Sequence, residues 1–250
     1  MIELNRIYNQ DCLEGMKLVD DKSIDLICTD LPYGITNYEL DIKIPFNKLW
    51  EQYNRIIKDN GAIVLFSSGI FTHHLVMSNQ KMWRYDLIWD KGNRVSGFLN
   101  AKRMPLRSHE SIQVFYKKAP TYNPQFTEGK PLHSKGKSYL FIDGKNSNYG
   151  YYDTSTPETR KGSTQKYPKS VLKFDRPHPA IHPTEKPVKL LEWILNTFSN
   201  EGELVLDSCM GSATTAIAAI NTKRNFIGFE KEEKWFNLGN ERIEKLINKL

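Results

Sequence analysis

The residues from Glu203 to Glu230 constrain the fold more than any others in the chain. Glu203-Leu204-Val205-Leu206-Asp207 is a short apolar run ending on a carboxylate, Ser208 to Ala213 is a loop of small residues, and Thr214 to Ile220 has the composition of a buried helix. A second apolar run, Asn225 to Phe229, ends on Glu230. Strand, tight turn, helix and strand form the first half of a nucleotide-binding unit, in which an acidic residue roughly 20 positions on meets ribose hydroxyls. Gly211 is the sole glycine of the turn. The glycine fingerprint that lets a pyrophosphate approach is therefore missing, and an adenosine-containing ligand without phosphates fits better.

A second strand end carries a different chemistry. Ser23 to Thr29 is an apolar run that stops at Asp30-Leu31-Pro32-Tyr33-Gly34. Pro32 fixes its own φ and biases Leu31 toward an extended backbone, so the carbonyls there point in a set direction. An ionised Asp30 and the Leu31 carbonyl can together accept both hydrogens of an amino group, and Tyr33 offers a flat face on which a base can stack. The residues read as a pocket for an exocyclic amine, with an ordinary proline-containing loop as the plainer alternative.

Regular α/β patterning fills most of the chain. Phe46, Leu49, Trp50, Tyr53, Ile56 and Ile57 form a helical stripe, Gly61 to Ser67 is expected as a strand after a break at Asn60-Gly61, and Tyr85 to Trp89 and Ser111 to Tyr116 are further strands. From about Ala119 to Pro179 the period dissolves into Pro, Gly, Ser, Asn, Lys and Tyr. Aromatic residues such as Tyr122, Phe126, Tyr139, Tyr167 and Phe174 make that segment too aromatic for ordinary disorder, so an ordered insert is expected there. Helical pattern returns after Pro187 with Leu190, Leu191, Ile194, Leu195 and Phe198, and the end of the chain is a charged amphipathic helix presenting Trp235, Leu238 and Ile243. In a doubly wound sheet the strands ending at Asp30 and Asp207 would flank one crevice if they are neighbours.

Order along the chain supplies a resemblance. Asn9-Gln10-Asp11-Cys12, then DLPYG, then His109-Glu110, then His182-Pro183-Thr184-Glu185-Lys186-Pro187, then Asp207 with Gly211-Ser212 and Thr214-Thr215, then Gly228-Phe229-Glu230 follow the motif order of the permuted, beta-group DNA amino-methyltransferases. The chain resembles that family over nearly its whole length apart from the middle. It departs at Leu31, where the family has proline, and at Ser208, Cys209 and Ala213, where Pro, Phe and Gly are usual. The resemblance implies a doubly wound, mostly parallel α/β sheet of the Rossmann-like methyltransferase type, formed by residues 1–118 and 180–250, with a target-recognition insert at 119–179. It implies S-adenosylmethionine as cofactor and transfer of its methyl group to adenine N6 in double-stranded DNA with the target base flipped out; single strands are a possible substrate. Asp30, Leu31, Pro32 and Tyr33 would be catalytic. Glu230 would bind ribose, Asp11 and Cys12 adenine, and Asp30, Thr184, Lys186 and the loop of Asp207, Ser208, Cys209 and Gly211 the methionine end. Cytosine N4 is the nearest alternative target, for which serine more often stands at the Asp30 position. A catalytically silent DNA-binding module is the alternative outside that chemistry.

Charge fits a nucleic-acid partner. The net charge is +6, and between Lys91 and Lys137 ten basic residues face only Glu110 and Glu128. Among them Lys91, Arg94, Lys102, Arg103, Arg107, Lys130, Lys135 and Lys137 are the expected DNA-binding set. His178 and His182 flank prolines without a companion cluster, so no metal is expected. Cys12, Cys28 and Cys209 have no paired spacing, and neither a leader nor an apolar run of membrane length is evident. These point to a reducing, cytoplasmic setting, with the protein acting as a monomer or homodimer.

Overall fold

The computed structural model describes residues 2–34, 43–92, 95–131, 163–181 and 184–249, with backbone alone at 145–146 and 150–151. Strands are β1 (Arg6–Asn9), β2 (Ile24–Thr29), β3 (Ile57–Ser67), β4 (Trp83–Asp90), β5 (His109–Phe115), β6 (Thr127–Glu128), β7 (Lys145–Asn146), β8 (Gly150–Tyr151), β9 (Gln165–Lys166), β10 (Val171–Lys173), β11 (Leu204–Asp207) and β12 (Asn225–Glu230). Helices are α1 (Cys12–Met16), α2 (Phe46–Ile56), α3 (Ile70–Ser78), α4 (Val188–Phe198), α5 (Thr214–Asn221) and α6 (Glu233–Ile247).

The chain separates into two compact units, residues 1–123 with 169–250, and residues 124–168. The first is built on an eight-stranded sheet in the order β1-β12-β11-β2-β3-β5-β4-β10. All neighbours pair in parallel except across β5, which runs antiparallel to both β3 and β4. Alternation puts the sheet's two faces in two cores. On β3, Ala62, Val64 and Phe66 pack with α4 and α5 residues such as Leu191 and Ala216, whereas Ile63 and Leu65 pack with Tyr53 of α2 and Phe71 of α3. Burial on both faces is why these strands read as continuous apolar runs.

Strand order reverses between β11 and β2. From β11 the chain goes through α5 to β12 on one side, and from β2 through α2 to β3 on the other. The register Val205↔Leu26 and Leu206↔Ile27 brings the ends at Asp207 and Thr29 within one residue of each other. The Ser208 N–H donates to Thr29 Oγ1 at 3.1 Å, stitching the two motif loops across the switch.

Two local expectations change. Asn60-Gly61 does not break the chain: β3 starts at Ile57 and absorbs the pair in a register irregularity against β2. A Cβ on Gly61 would sit 2.8 Å from the Asp25 carbonyl oxygen, so the glycine serves close strand approach there. The expected insert at 119–179 is wider than the second unit. Val171–Lys173 extends the main sheet beside β4, Phe174 packs against the core and accepts a hydrogen bond on its carbonyl from Trp89 Nε1 at 2.7 Å, and Tyr122 meets Phe198. Inside the second unit β6 pairs with β9, and the rings of Phe126 and Tyr167 lie 5.0 Å apart. Tyr139 falls outside the described residues. Among the described residues no helix is long and apolar enough to cross a membrane.

Candidate active site

The crevice at the switch opens into a cavity of about 670 Å³, within the range of small-molecule sites. Asp30, Leu31, Pro32 and Tyr33 line it together with Asp11, Cys12, Thr184, Lys186, Asp207, Ser208, Cys209, Gly211 and Glu230. Residues expected for the amine pocket and for the cofactor therefore share one cavity.

Three strand ends and one loop hold the residues expected to meet a cofactor. Asp207 closes β11, accepting from the Cys209 N–H at 3.0 Å and from Thr215 Oγ1 at 2.6 Å, so its carboxylate shapes the turn. Burial nonetheless pushes its pKa up to about 7. Ser208 shares a hydrogen bond of 2.6 Å with the buried Tyr53 hydroxyl. The Cys209 thiol is held well above the ordinary range by its contact with Cys12 and by burial, which makes it a neutral lining group. Ala213 takes a left-handed backbone, φ 64°, where the resembled family has glycine; the cost is about 1–2 kcal/mol. Its buried methyl packs near Gly239 of α6, where a Cβ would lie 3.1 Å away. Glu230 ends β12 and accepts from the Gly211 N–H at 2.7 Å and the Glu232 N–H at 2.9 Å. Burial raises its pKa against those bonds. Asp11 caps α1 by accepting from the Leu13 N–H at 2.9 Å.

The Asp30 end of the cavity is organised by charge. Asp30 accepts from the Tyr33 hydroxyl at 2.9 Å and pairs with Lys186. Lys186 also lies 3.3 Å from Glu110, and Glu110 lies 2.6 Å from Lys91. The result is a ladder Asp30–Lys186–Glu110–Lys91 running inward from the cavity. Burial pushes the Asp30 carboxyl up, and Glu110 adds to this against the pull of Lys186 and Tyr33. Burial would lower Lys186, but Asp30 and Glu110 outweigh it and hold the ammonium above the ordinary lysine value. Glu110 is held below the ordinary glutamate value because Lys186 and Lys91 outweigh its burial. Tyr33 stacks on Phe71, ring centroids 4.7 Å apart and planes 26° from parallel.

Several residues stand elsewhere than the sequence suggested. Lys91 is 4% exposed and engaged with Glu110, so it belongs to the interior ladder and not to a phosphate-binding surface. Lys186 lines the cavity, with its ammonium paired to both Asp30 and Glu110. Lys102, Arg103, Arg107 and Lys130 are exposed; Arg94, Lys135, Lys137 and His182 lie outside the described residues. Among the described residues no group of three His, Cys, Asp or Glu could hold a metal ion. Glu110 was legible as one of two carboxylates in a basic stretch, but its partners were not. Trp235 and Phe66 also line the cavity. Arg242 of α6 pairs with buried Glu185 at 2.8 Å and donates to the Ser212 carbonyl at 2.9 Å, locking the Thr184–Lys186 segment to the Ser208–Ala213 loop.

Comparison with known proteins agrees with this geometry. The profile of a family described as DNA methylase matches residues 24–241. The Type II methyltransferase M1.MboII of Moraxella bovis is 28% identical across 98% of this chain and 99% of its own length. M.HinfI of Haemophilus influenzae, also a Type II methyltransferase, is 25% identical across 97% of this chain and 69% of its own. Among solved structures, an M1.HpyAVI–SAM complex superposes with TM-score 0.61 at 24% identity, covering 95% of this chain and 98% of that one. The cytosine-N4-specific PvuII DNA methyltransferase superposes with TM-score 0.67 at 16% identity, covering 94% and 85%. These two share the fold. With most of its length matched by the family profile, the chain belongs to the DNA methylase family.

Proposed function

We propose that this chain transfers a methyl group from S-adenosylmethionine to the exocyclic amine of adenine in DNA. The observation that carries the proposal is the shared cavity, lined at once by the Asp30–Tyr33 turn and by the Asp207–Ser212 loop. The lining suits a sulfonium cofactor. The carboxyl groups of Asp11, Asp30, Glu110, Glu185, Asp207, Glu230 and Glu232 outnumber the ammonium groups of Lys43, Lys186 and Lys231, a balance that favours a cation and disfavours a pyrophosphate. S-adenosylmethionine, when bound, supplies an electrophilic methyl carbon and a neutral thioether leaving group. Glu230 is the proposed ribose acceptor, Asp11 and Cys12 border the adenine, and Thr184 with Ser208, Cys209 and Gly211 enclose the methionine end.

The base must leave the duplex before its amine can be reached, at a cost of a few kcal/mol. Tyr33, already stacked on Phe71, offsets part of that cost by stacking on the flipped ring. Asp30 and the Leu31 carbonyl accept the two amine hydrogens and turn the nitrogen lone pair outward. As the nitrogen gains its fourth bond, Asp30 stabilises the growing positive charge and takes the proton that is then lost, while Pro32 keeps the turn from relaxing. Lys186 keeps Asp30 ionised and in place. Adenine is favoured by aspartate at position 30 through the family resemblance.

The test is incubation with labelled S-adenosylmethionine and DNA free of methylated bases, followed by digestion to nucleosides. Label in N6-methyl-2′-deoxyadenosine supports the proposal; label in N4-methyl-2′-deoxycytidine moves the target to cytosine, and none in either removes the activity.

A further inference from the structure

We infer that the arm between β4 and β5 is a wedge that enters duplex DNA beside the flipped nucleotide, with Phe98 and Leu99 occupying the space the base vacates. The inference rests on the amino-methyltransferase reading above and goes beyond it by naming the groups that replace the lost stacking. The base of the arm is closed by two backbone hydrogen bonds between Ser96 and Arg107, of 2.9 and 3.0 Å. Its tip is a short 3-10 turn, Phe98–Asn100, fastened by the N–H groups of Arg103 and Met104 donating to the Asn100 carbonyl at 2.8 and 3.0 Å. The tip is thus a shaped element, yet Phe98 is 73% exposed and Leu99 87%, with Met104 at 58% and Leu106 at 41% beside them. Scattered apolar residues on a surface need no partner; four on one ordered protrusion do.

Charge identifies the partner. From Val95 to Ser108 the arm carries Lys102, Arg103 and Arg107 and no carboxylate. An apolar tip between cationic flanks complements a polymer that is anionic outside and stacked and apolar inside, and inserted apolar side chains between base steps are a recurrent device in duplex binding. A second copy of this chain would be a poorer occupant, because an isologous contact brings the same basic residues face to face. Position agrees. The arm leaves the sheet after Asp90 and returns at His109, one residue before Glu110, which reaches Lys186 at 3.3 Å and through it Asp30. Arg107 donates to the Ser68 hydroxyl just past the end of β3. The strand to which the arm returns thus carries Glu110, which lines the cavity that would receive the flipped base.

The test uses the whole chain carrying Phe98→Ala and Leu99→Ala together, on an oligonucleotide duplex containing the site that wild-type protein methylates. Melting and S-adenosylmethionine affinity should match wild type, because neither residue touches the core or the cavity. Turnover on the matched duplex should fall at least tenfold. A duplex with an abasic position opposite the target, where the base is already half released, should bring the variant back to within about threefold of wild type. Equal loss on both duplexes, or loss on neither, would overturn the wedge while leaving the methyltransferase reading intact. A drop in sedimenting mass caused by the substitutions would assign the tip to self-association and overturn it as well. Wild-type protein that methylates no DNA removes the parent reading and the wedge with it.

Discussion

Replacing Lys186 by methionine removes the cation that Asp30 and Glu110 share and keeps an apolar stem beside Phe66, whose ring lies 5.1 Å from the ammonium. Removing one partner of a buried ion pair costs about 3–5 kcal/mol. Here the loss is smaller, because Lys91 still lies 2.6 Å from Glu110 and the Asp30 side chain keeps 26% of its exposure. A cost of about 2–3 kcal/mol remains after that discount, or a fall of roughly 4–12 °C in melting temperature for a chain of this size. Lys186 sits above its ordinary value, so its contribution is complete below about 10.5 and is lost only at higher pH. Glu110 sits below its ordinary value, so its contribution is complete above about 4.5 and is lost as acid protonates it in the fold. The gap between wild type and variant is therefore widest at neutral pH and closes in acid. Activity should move in the same experiment. Without Lys186, the burial and the Glu110 charge that already push Asp30 upward act unopposed by a cation, so its carboxyl holds its proton to higher pH and can neither stabilise the charge growing on the amine nor take the proton it loses. The kcat profile of the variant should shift to higher pH and recover as pH rises. Melting within a degree of wild type, or superimposable profiles, would refute the ladder as the device that holds Asp30.

Asp207, raised to about 7 by burial, binds its proton more tightly folded than unfolded. The contribution of Asp207 to stability should therefore fall as pH rises from about 4 toward 7, so wild type should lose stability relative to Asp207→Asn over that range; melting curves of the two that run parallel from pH 4.5 to 7 would contradict it. Gly15→Ala would set a Cβ 2.3 Å from the ring of buried Phe229, an overpacking cost of about 1–3 kcal/mol that denaturant titration should register. Glu230→Ala should weaken S-adenosylmethionine binding by about 1.5–3 kcal/mol, since it removes the acceptor and frees the Gly211 N–H; calorimetry showing unchanged affinity would move the ribose contact elsewhere.

What could be seen in the sequence was whatever depends on neighbours in the chain. Strands ending at Thr29 and Asp207 are continuous apolar runs closed by a carboxylate and a tight loop, and the parallel sheet with its reversal follows from burying both faces of such runs. What stayed hidden depends on residues brought together from afar. Lys91 reads like any basic residue of its stretch until Glu110 is found opposite it, and Lys186 reaches Asp30 across 156 positions of sequence. Phe174 and Tyr122 looked like members of an aromatic insert because composition alone cannot tell a ring in a loop from one that caps a core. The left-handed turn at Ala213 was hidden for a further reason: alanine takes that backbone only where packing against α6 offsets the strain.

Asp30 as the acceptor of the target amine is the claim on which the chemistry stands. The most direct measurement is base-resolved detection of methylation in DNA from cells expressing wild-type chain or Asp30→Ala, with the melting temperature of each purified protein recorded alongside. Wild-type DNA should carry N6-methyladenine at one defined sequence, and the variant should remain cooperatively folded, melting only a few degrees lower because Lys186 keeps Glu110 as a partner, and leave that sequence unmodified to within a few per cent. Methylation retained by a normally folded Asp30→Ala protein would contradict the assignment.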